Sequence, residues 1–491
     1  MGTSNRVQLA AVRESTLGTT PTTPRMRGAR FTGESLAFNQ EFVDSQEIRA
    51  DRMLGDPIKT MASSQGSINI EMNYPVDASP ESDMLRSAFY STWVNTPTFD
   101  NDGTADSVVT DAGTTSNTYV VASGGASVKL GHLVRATGFT TAANNKTTPF
   151  RVASSTGTTI VGTSLSLTAE TAPPGTARLK VVGFMGASGD ITAAASALGS
   201  TALDFTTLGL VPGMWLKIDS TTAGNGFATT ANNDWVRIAG TITATSIPLD
   251  NLPSGWSVDT GTSKTIAVYF GDYIQNGTTQ TSLSIERGFL DQTSPTYIIN
   301  TGMVVNTYDV TITSKQVITG TIAFLGMGGS QSTTALDASI DATQTGASMA
   351  ANANVGRVAE AGSTLTSPNW AHSLKFQINN NNRQLEAVDS TSPVGINSGE
   401  CTVSGTIETY FGSNSLLTKF YAGTATSINS RVVKNSQALI WQFPRCIYKG
   451  DGNPQATGKN TDVMLPLSFS AVIDTTLLSK QVQLDRIEFY N

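Results

Sequence analysis

The sequence predicts an all-β chain of β-sandwich or barrel domains with few, short helices, and three features carry that expectation. Only 14% of residues are charged and 39% apolar, with Gly, Thr, Ser, Ala and Asn filling much of the rest. That is a strand-and-turn composition rather than the Ala, Glu, Leu and Lys of helices. Apolar residues alternate over short runs bounded by turn residues, as with Ile68, Ile70 and Met72 in GSINIEMNY. At 491 residues the chain exceeds one comfortable hydrophobic core, so roughly two to four domains are expected.

The first 30 residues combine polar residues, Gly18, Pro21, Pro24 and the basic cluster Arg25, Arg27 and Arg30 without apolar periodicity. They predict an arm, disordered alone or ordered by a neighbouring subunit. A first core domain is expected over 31–96 and 276–330. Within it the charge-dense VDSQEIRADRMLGDPIKT, with Gly55 and Pro57, predicts a long exposed loop. In SPESDMLRSAFYSTW, Ser79 is placed as N-cap, Pro80 opens the helix, and Met84, Leu85, Ala88 and Phe89 form one stripe, predicting a helix from Pro80 to Trp93.

From 97 to 275 charge falls, Thr, Ala, Gly and Asn dominate, and the text repeats itself. Gly131 matches Gly213, Asn144 and Asn145 match Asn232 and Asn233, Arg151 matches Arg237, and Phe184 matches Phe270. Two inserted small β modules of Ig-like size, 97–190 and 191–275, follow from that repeat. After a linker at 331–368 a second core domain, 369–491, repeats the plan of the first: SLKFQIN, GECTVSGTIETYF, a helix from Ser415 to Ala422 closed by Gly423, ALIWQFPRCIY and VMLPLSFSAVID.

Lys and Arg total 31 against 38 Asp and Glu, a formal charge of −7, opposite in sign to the footprint of a protein that grips phosphate backbones. The N-terminus carries no apolar core of secretory length, and no run approaches the ~20 apolar residues that span a bilayer, so a cytosolic chain without a membrane partner is expected. In that compartment Cys401 and Cys446 are expected as buried free thiols.

No constellation competent for chemistry emerges. His132 and His372 are the only histidines, and neither stands among Cys, Asp or Glu at ligand spacing, so neither a metal nor a catalytic base is assigned. GMGGS (Gly326 to Ser330) lacks the Lys and helix of a phosphate-binding loop, and the Asn379 to Asn382 run is a turn. DNDGTAD (Asp100 to Asp106) fails the helix-loop-helix calcium spacing and is a linker into the insertion. The six tryptophans are expected in the core or at interfaces. Catalytic, cofactor-binding and metal-binding residues are therefore all expected to be absent.

Several strings, in this order and spacing, resemble the tail tube proteins of long-tailed, siphovirus-like phages, which are similar in fold to the type VI secretion tube protein. They are ESTLGTTP, RGARFTGESL, the IRADR of Ile48 to Arg52, SLSIERGF with TGMVVN, TGTIAFLGMGG, SLKFQINNN, VSGTIETYF and FPRC. The resemblance implies a duplicated tube core whose sheets join between subunits into rings that stack as a tube, a virion structure assembled in the host cytoplasm. A trimer is favoured over a hexamer. Tape measure, terminator and distal tail proteins would be partners, and DNA would pass through an acidic lumen without specific binding. The implied inter-ring contacts are Arg25, Arg27, Arg30, Glu47, Arg49, Asp51, Arg52 and Asp56. A different virion part (terminator, baseplate or decoration protein), a carbohydrate-binding or adhesive β-module protein, and, behind both, an enzyme stand as alternatives.

Overall fold

A computed structural model of the chain describes residues 3–102, 107–450, 452–454, 456 and 458–490; Gly103 to Asp106 of the DNDGTAD segment lie outside the described residues. The main sheet is built from β1 (Val7–Arg13), β2 (Ala37–Val43), β3 (Ile58–Glu71), β4 (Leu283–Phe289), β5 (Thr296–Thr313), β6 (Thr319–Leu325), β7 (Ala371–Asn379), β8 (Thr402–Tyr410), β9 (Thr426–Lys434), β10 (Gln437–Lys449), β11 (Met464–Ala471) and β12 (Gln483–Glu488). Helices α1 (Pro80–Phe89) and α2 (Ser415–Ala422) accompany it.

The two halves repeat one wiring. In the first, β2 pairs β3, β3 pairs β6, β6 pairs β5 and β5 pairs β4. In the second, β7 pairs β8, β8 pairs β11, β11 pairs β10 and β10 pairs β9, every pairing again antiparallel. Helix α1 follows β3 as α2 follows β8. The halves join where the last residues of β5 pair β7, from Thr307↔Asn379 to Thr313↔Ser373. A run of eight strands, β2-β3-β6-β5-β7-β8-β11-β10, therefore crosses the whole molecule.

Period-two alternation gives this run two unlike faces. Ile68 and Ile70, Tyr308 and Val310, Phe376 and Ile378, and Leu467 and Phe469 point inward. One core serves both halves: Trp441 of β10 stacks on Phe89 of α1 at 6.0 Å and on Tyr308 of β5 at 5.7 Å. The opposite face carries Asn69 and Ser468, which are exposed, and Thr321, Thr311, Gln377 and Thr406, which are partly so.

Two expectations need correction. The first 30 residues are not an arm: β1 pairs β4 from Val7↔Phe289 to Arg13↔Leu283 and buries Leu9, Ala10 and Ala11. Consecutive small buried residues leave no alternation to read. The 331–368 linker is not structureless either, because Val355–Glu360 is a strand paired with β9. Helix α1 starts as expected, with Ser79 Oγ accepting the Ser82 N–H at 3.2 Å, but ends at Phe89. There Tyr90 turns left-handed (φ 50°) and its N–H closes on the Arg86 and Ser87 carbonyls. Helix α2 has the expected bounds, and Gly423 (φ 61°) caps it.

The insertion has its own sheet and its own core, with Phe184, Phe205 and Phe270 inside. Strands His132–Thr137, Lys146–Ser155 and Arg178–Met185 are echoed by Trp215–Asp219, Trp235–Ile238 and Ala267–Tyr269. The two sets meet in antiparallel pairing from Gly183↔Tyr269 to Met185↔Ala267. The repeated asparagines close equivalent loops. The Asn145 amide accepts from Phe139 N–H and donates to Phe139 O, both at 2.9 Å. Asn233 does the same to Phe227, at 2.7 and 2.8 Å.

Candidate assembly surfaces

Among the described residues β2 pairs β3 and no other strand, so its outer edge is open. Such an edge displays unpaired amides and carbonyls and is a template for another strand. The amide of Ala62 in β3 donates to Thr391 O, on the side of β3 away from β2. Its partner Gln40 therefore sits in a non-hydrogen-bonded pair with its own N–H pointing outward. At Gly66 a φ of +139° brings the backbone so close to β2's lead-in that a Cβ would lie 2.4 Å from the Ser35 carbonyl, so this crossing requires glycine.

The β2–β3 hairpin runs out past the body. Phe42, Val43, Ile48, Met53, Leu54 and Ile58 are all exposed there, Ile48 at 99%. The eight charged residues expected as contacts divide into two groups. Arg25 and Arg27 pair with Asp341, at 2.8 and 3.7 Å, and Arg30 donates to Gly346 O and Ser348 Oγ, so these three tie their own chain together. Glu47, Arg49, Asp51, Arg52 and Asp56 remain on the exposed loop. Arg49 binds Asp51 at 2.6 Å; this bond holds the Asp51 carboxyl below its ordinary range and raises the Arg49 guanidinium.

The open face of the eight-stranded run is a carpet of hydroxyls and amides. Glu71, Asp309 and Glu408 stand on it with Lys375 and Lys449, and Asp309 accepts from Gln377 Nε2 at 2.7 Å. Sequence alternation in VSGTIETYF places Ser404, Thr406 and Glu408 together on this side.

On the far side of the core the insertion is fastened in two ways. Trp215, Trp235 and Tyr269 pack against Ala438, Ile440, Ile487 and Phe489. Beside them Arg486 of β12, 1% exposed, bonds Asp272 at 2.8 Å and also Asp77, and donates to Ser82 Oγ of α1 at 2.9 Å while lying 4.0 Å from the Trp93 ring. Lys180 and Arg178 of the insertion complete the cluster through the same two carboxylates. Burial opposes the charge on Asp77, but Lys180, Arg486 and Arg178 hold it well below the carboxylate range. Nearby, burial pushes Asp485 up to about 7 even though Gln483 and Gln442 donate to it. Burial lowers His132 to about 4. Cys401 and Cys446 are free, and burial raises both thiols.

The family model for phage tail tube proteins matches this chain twice, over residues 4–252 and 229–471. The chain belongs to the phage tail tube protein family. The first match takes in β1 to β3, α1 and most of the insertion, and the second takes in β4 to β11 with α2, so the return strands β4 to β6 of the first wiring fall in the second match. No curated protein matches it. As a tail tube protein it is a structural component of the virion tail that assembles with itself into a tube and meets other tail proteins. An open edge strand is what a self-assembling sheet needs and what a monomer avoids. No described helix of this tail tube protein is long and apolar enough to cross a membrane.

Proposed function

We propose that three copies of the tail tube protein close a ring, and that the rings stack into the tube of a siphovirus-like, non-contractile tail through which DNA leaves the head. The observation that carries this is the joint between β5 and β7. By the repeated wiring, β10 corresponds to β5 and β2 to β7. The joint made inside one chain is thus a template for pairing the open end of β10 with the open edge of β2 in the next copy. Beyond Cys446, among the described residues, β10 has a partner on one side only, β11. Such a head-to-tail contact is heterologous and closes into a ring. Two wirings per chain make three copies a ring of six similar units, the number that six single-core subunits would supply.

The open face then lines the channel. In place of the acidic lining expected, Glu71, Asp309 and Glu408 stand there with Lys375 and Lys449, a mixed set that offers DNA no strong attraction. The insertion lies on the other side of the core, where a contractile sheath would otherwise sit, which supports the non-contractile type. Kinship of fold with the type VI secretion tube protein, assembly in the host cytoplasm, and capping of the tube by tape measure, terminator and distal tail proteins belong to the same proposal. The charged loop residues Glu47, Arg49, Asp51, Arg52 and Asp56 face the next ring. Native mass spectrometry and electron microscopy of assembled rings test it: three chains per ring with three outer knobs are expected. Six chains per ring would overturn the trimer.

A further inference from the structure

Strand polarity gives the ring two unlike ends. β3 starts at Ile58 beside the exposed loop and ends at Glu71, which pairs Thr319. Thr319 pairs Thr311, Thr313 pairs Ser373, and Ala371 pairs Thr409. The turn after β5 and the lead-in to β7 therefore lie at the end of the sheet opposite the 44–57 loop. At that far end is a groove of about 410 Å³, walled by Ile312, Val355, Leu365 and Leu374 and flanked by Trp370 and His372. Trp370 is 55% exposed, an unusual state for the largest apolar side chain. His372 is held by Glu408 at 2.9 Å, so the rim on that side is fixed. Lys315, exposed on the neighbouring turn, has its N–H on Asn352, which also lines the groove.

The geometry points to this groove as the seat of the 44–57 loop of a second copy in the next ring, with Ile48, Met53 and Leu54 as its apolar occupants. The inference rests on the ring-stacking reading above and adds the acceptor. Three features favour this occupant. Stacking identical rings head to tail brings the end of the sheet that bears the loop onto the end that bears the groove. The loop exposes apolar side chains with nothing of their own chain to cover them, while the groove exposes a tryptophan, the residue type that most often anchors an interface. With Arg49 occupied by Asp51, Asp44, Glu47 and Asp56 outnumber Arg52 on the loop, matching Lys315 at the rim.

Cysteine pairs test the seat in assembled tubes. Oxidised Leu54→Cys, Trp370→Cys tubes should give a ladder of covalent multimers, whereas either single variant, which also reports any reaction of Cys401 or Cys446, should give none. Trp370→Ser should leave ring formation and melting temperature unchanged, because the side chain is largely outside the core. It should raise the concentration at which rings stack by at least about tenfold. Tubes that assemble as the parent does in Trp370→Ser, with no ladder from the cysteine pair, overturn the seat and leave the tube reading intact. Parent protein that forms no stacked rings at all overturns the tube reading instead, and the seat with it.

Discussion

The two halves of the tube core share a strand order and differ in what lies over their helices. In the first half the chain leaves α1 for the insertion and returns only at β4, and nearly every residue of α1 is buried. In the second half α2 passes to β9 across a short connection, and only Leu416 is buried, with Tyr421 exposed. The sheet wiring tolerates this because each half needs the helix for one apolar stripe alone, and that stripe meets the shared core in both. The remaining surface of α1 is free to take an outer layer. What the comparison teaches is that the sheet keeps one wiring in both halves while the crossover after the helix carries the variation.

Equivalent strands with unlike surroundings give the sharpest way to break the comparison. β2 and β7 occupy the same place in the two wirings, yet β2 is an edge and β7 is flanked by β5 and β8. Gln40→Pro removes an amide that points away from β3, so the monomer should keep its circular dichroism and melt within a few degrees of the parent while forming no rings at any concentration. Gln377→Pro removes a ladder bond inside the sheet and inserts a ring that cannot be accommodated between two paired strands, and should give aggregated or unfolded chain. Rings from Gln40→Pro seen by electron microscopy would show that β2 is not the closing edge.

The helices are tied down by different clusters, which grades the next effect. Arg486→Met leaves Asp272 and Asp77 buried with fewer partners and should cost about 3–5 kcal/mol in urea unfolding. Lys419 of α2, one-third exposed, holds Glu360 at 2.6 Å, and Glu360 keeps a second donor in Thr426. Lys419→Met should cost about 1.5–3 kcal/mol. Equal losses would mean that the insertion does not depend on the Arg486 cluster for its seat.

Much of this was legible before any coordinates. Ile68, Ile70 and Met72 alternate cleanly because β3 has one buried face, and Ser79 and Pro80 announce α1 because orphan amides and a fixed φ admit few residue types there. The all-β class, the helix α2 and the repeated asparagines of the insertion were equally plain. β1 was not, because Leu9, Ala10 and Ala11 are buried in succession and two of them are small. Val355–Glu360 hid in a polar stretch whose pairing with β9 is long-range. Arg25, Arg27 and Arg30 looked available because charge alone names no partner, and theirs, at Asp341, Gly346 and Ser348, stand more than 300 residues on. The loop was visible as polar; that Ile48, Met53 and Leu54 stay uncovered could only be seen once nothing folded back onto it.

The smallest effect asks whether the insertion and the core unfold together. Asp485 in β12 has a folded pKa of about 7 against about 4 unfolded, so the native state binds the extra proton between these values. Its stabilising contribution is complete below about pH 4 and declines as pH rises towards 7, by at most about 1.4 kcal/mol per pH unit. His132 in the insertion has a folded pKa of about 4 against about 6.5 unfolded. The unfolded chain binds the extra proton there, and stability is lost as pH falls from 6.5 to 4. If the whole chain melts as one unit the two slopes oppose each other between about pH 4 and 6.5. Asp485→Asn should then make stability rise with pH relative to the parent across that window, and His132→Asn should make it fall. Two separate thermal transitions, with His132→Asn moving one and Asp485→Asn only the other, would show that the insertion melts independently of the sheet it rests on.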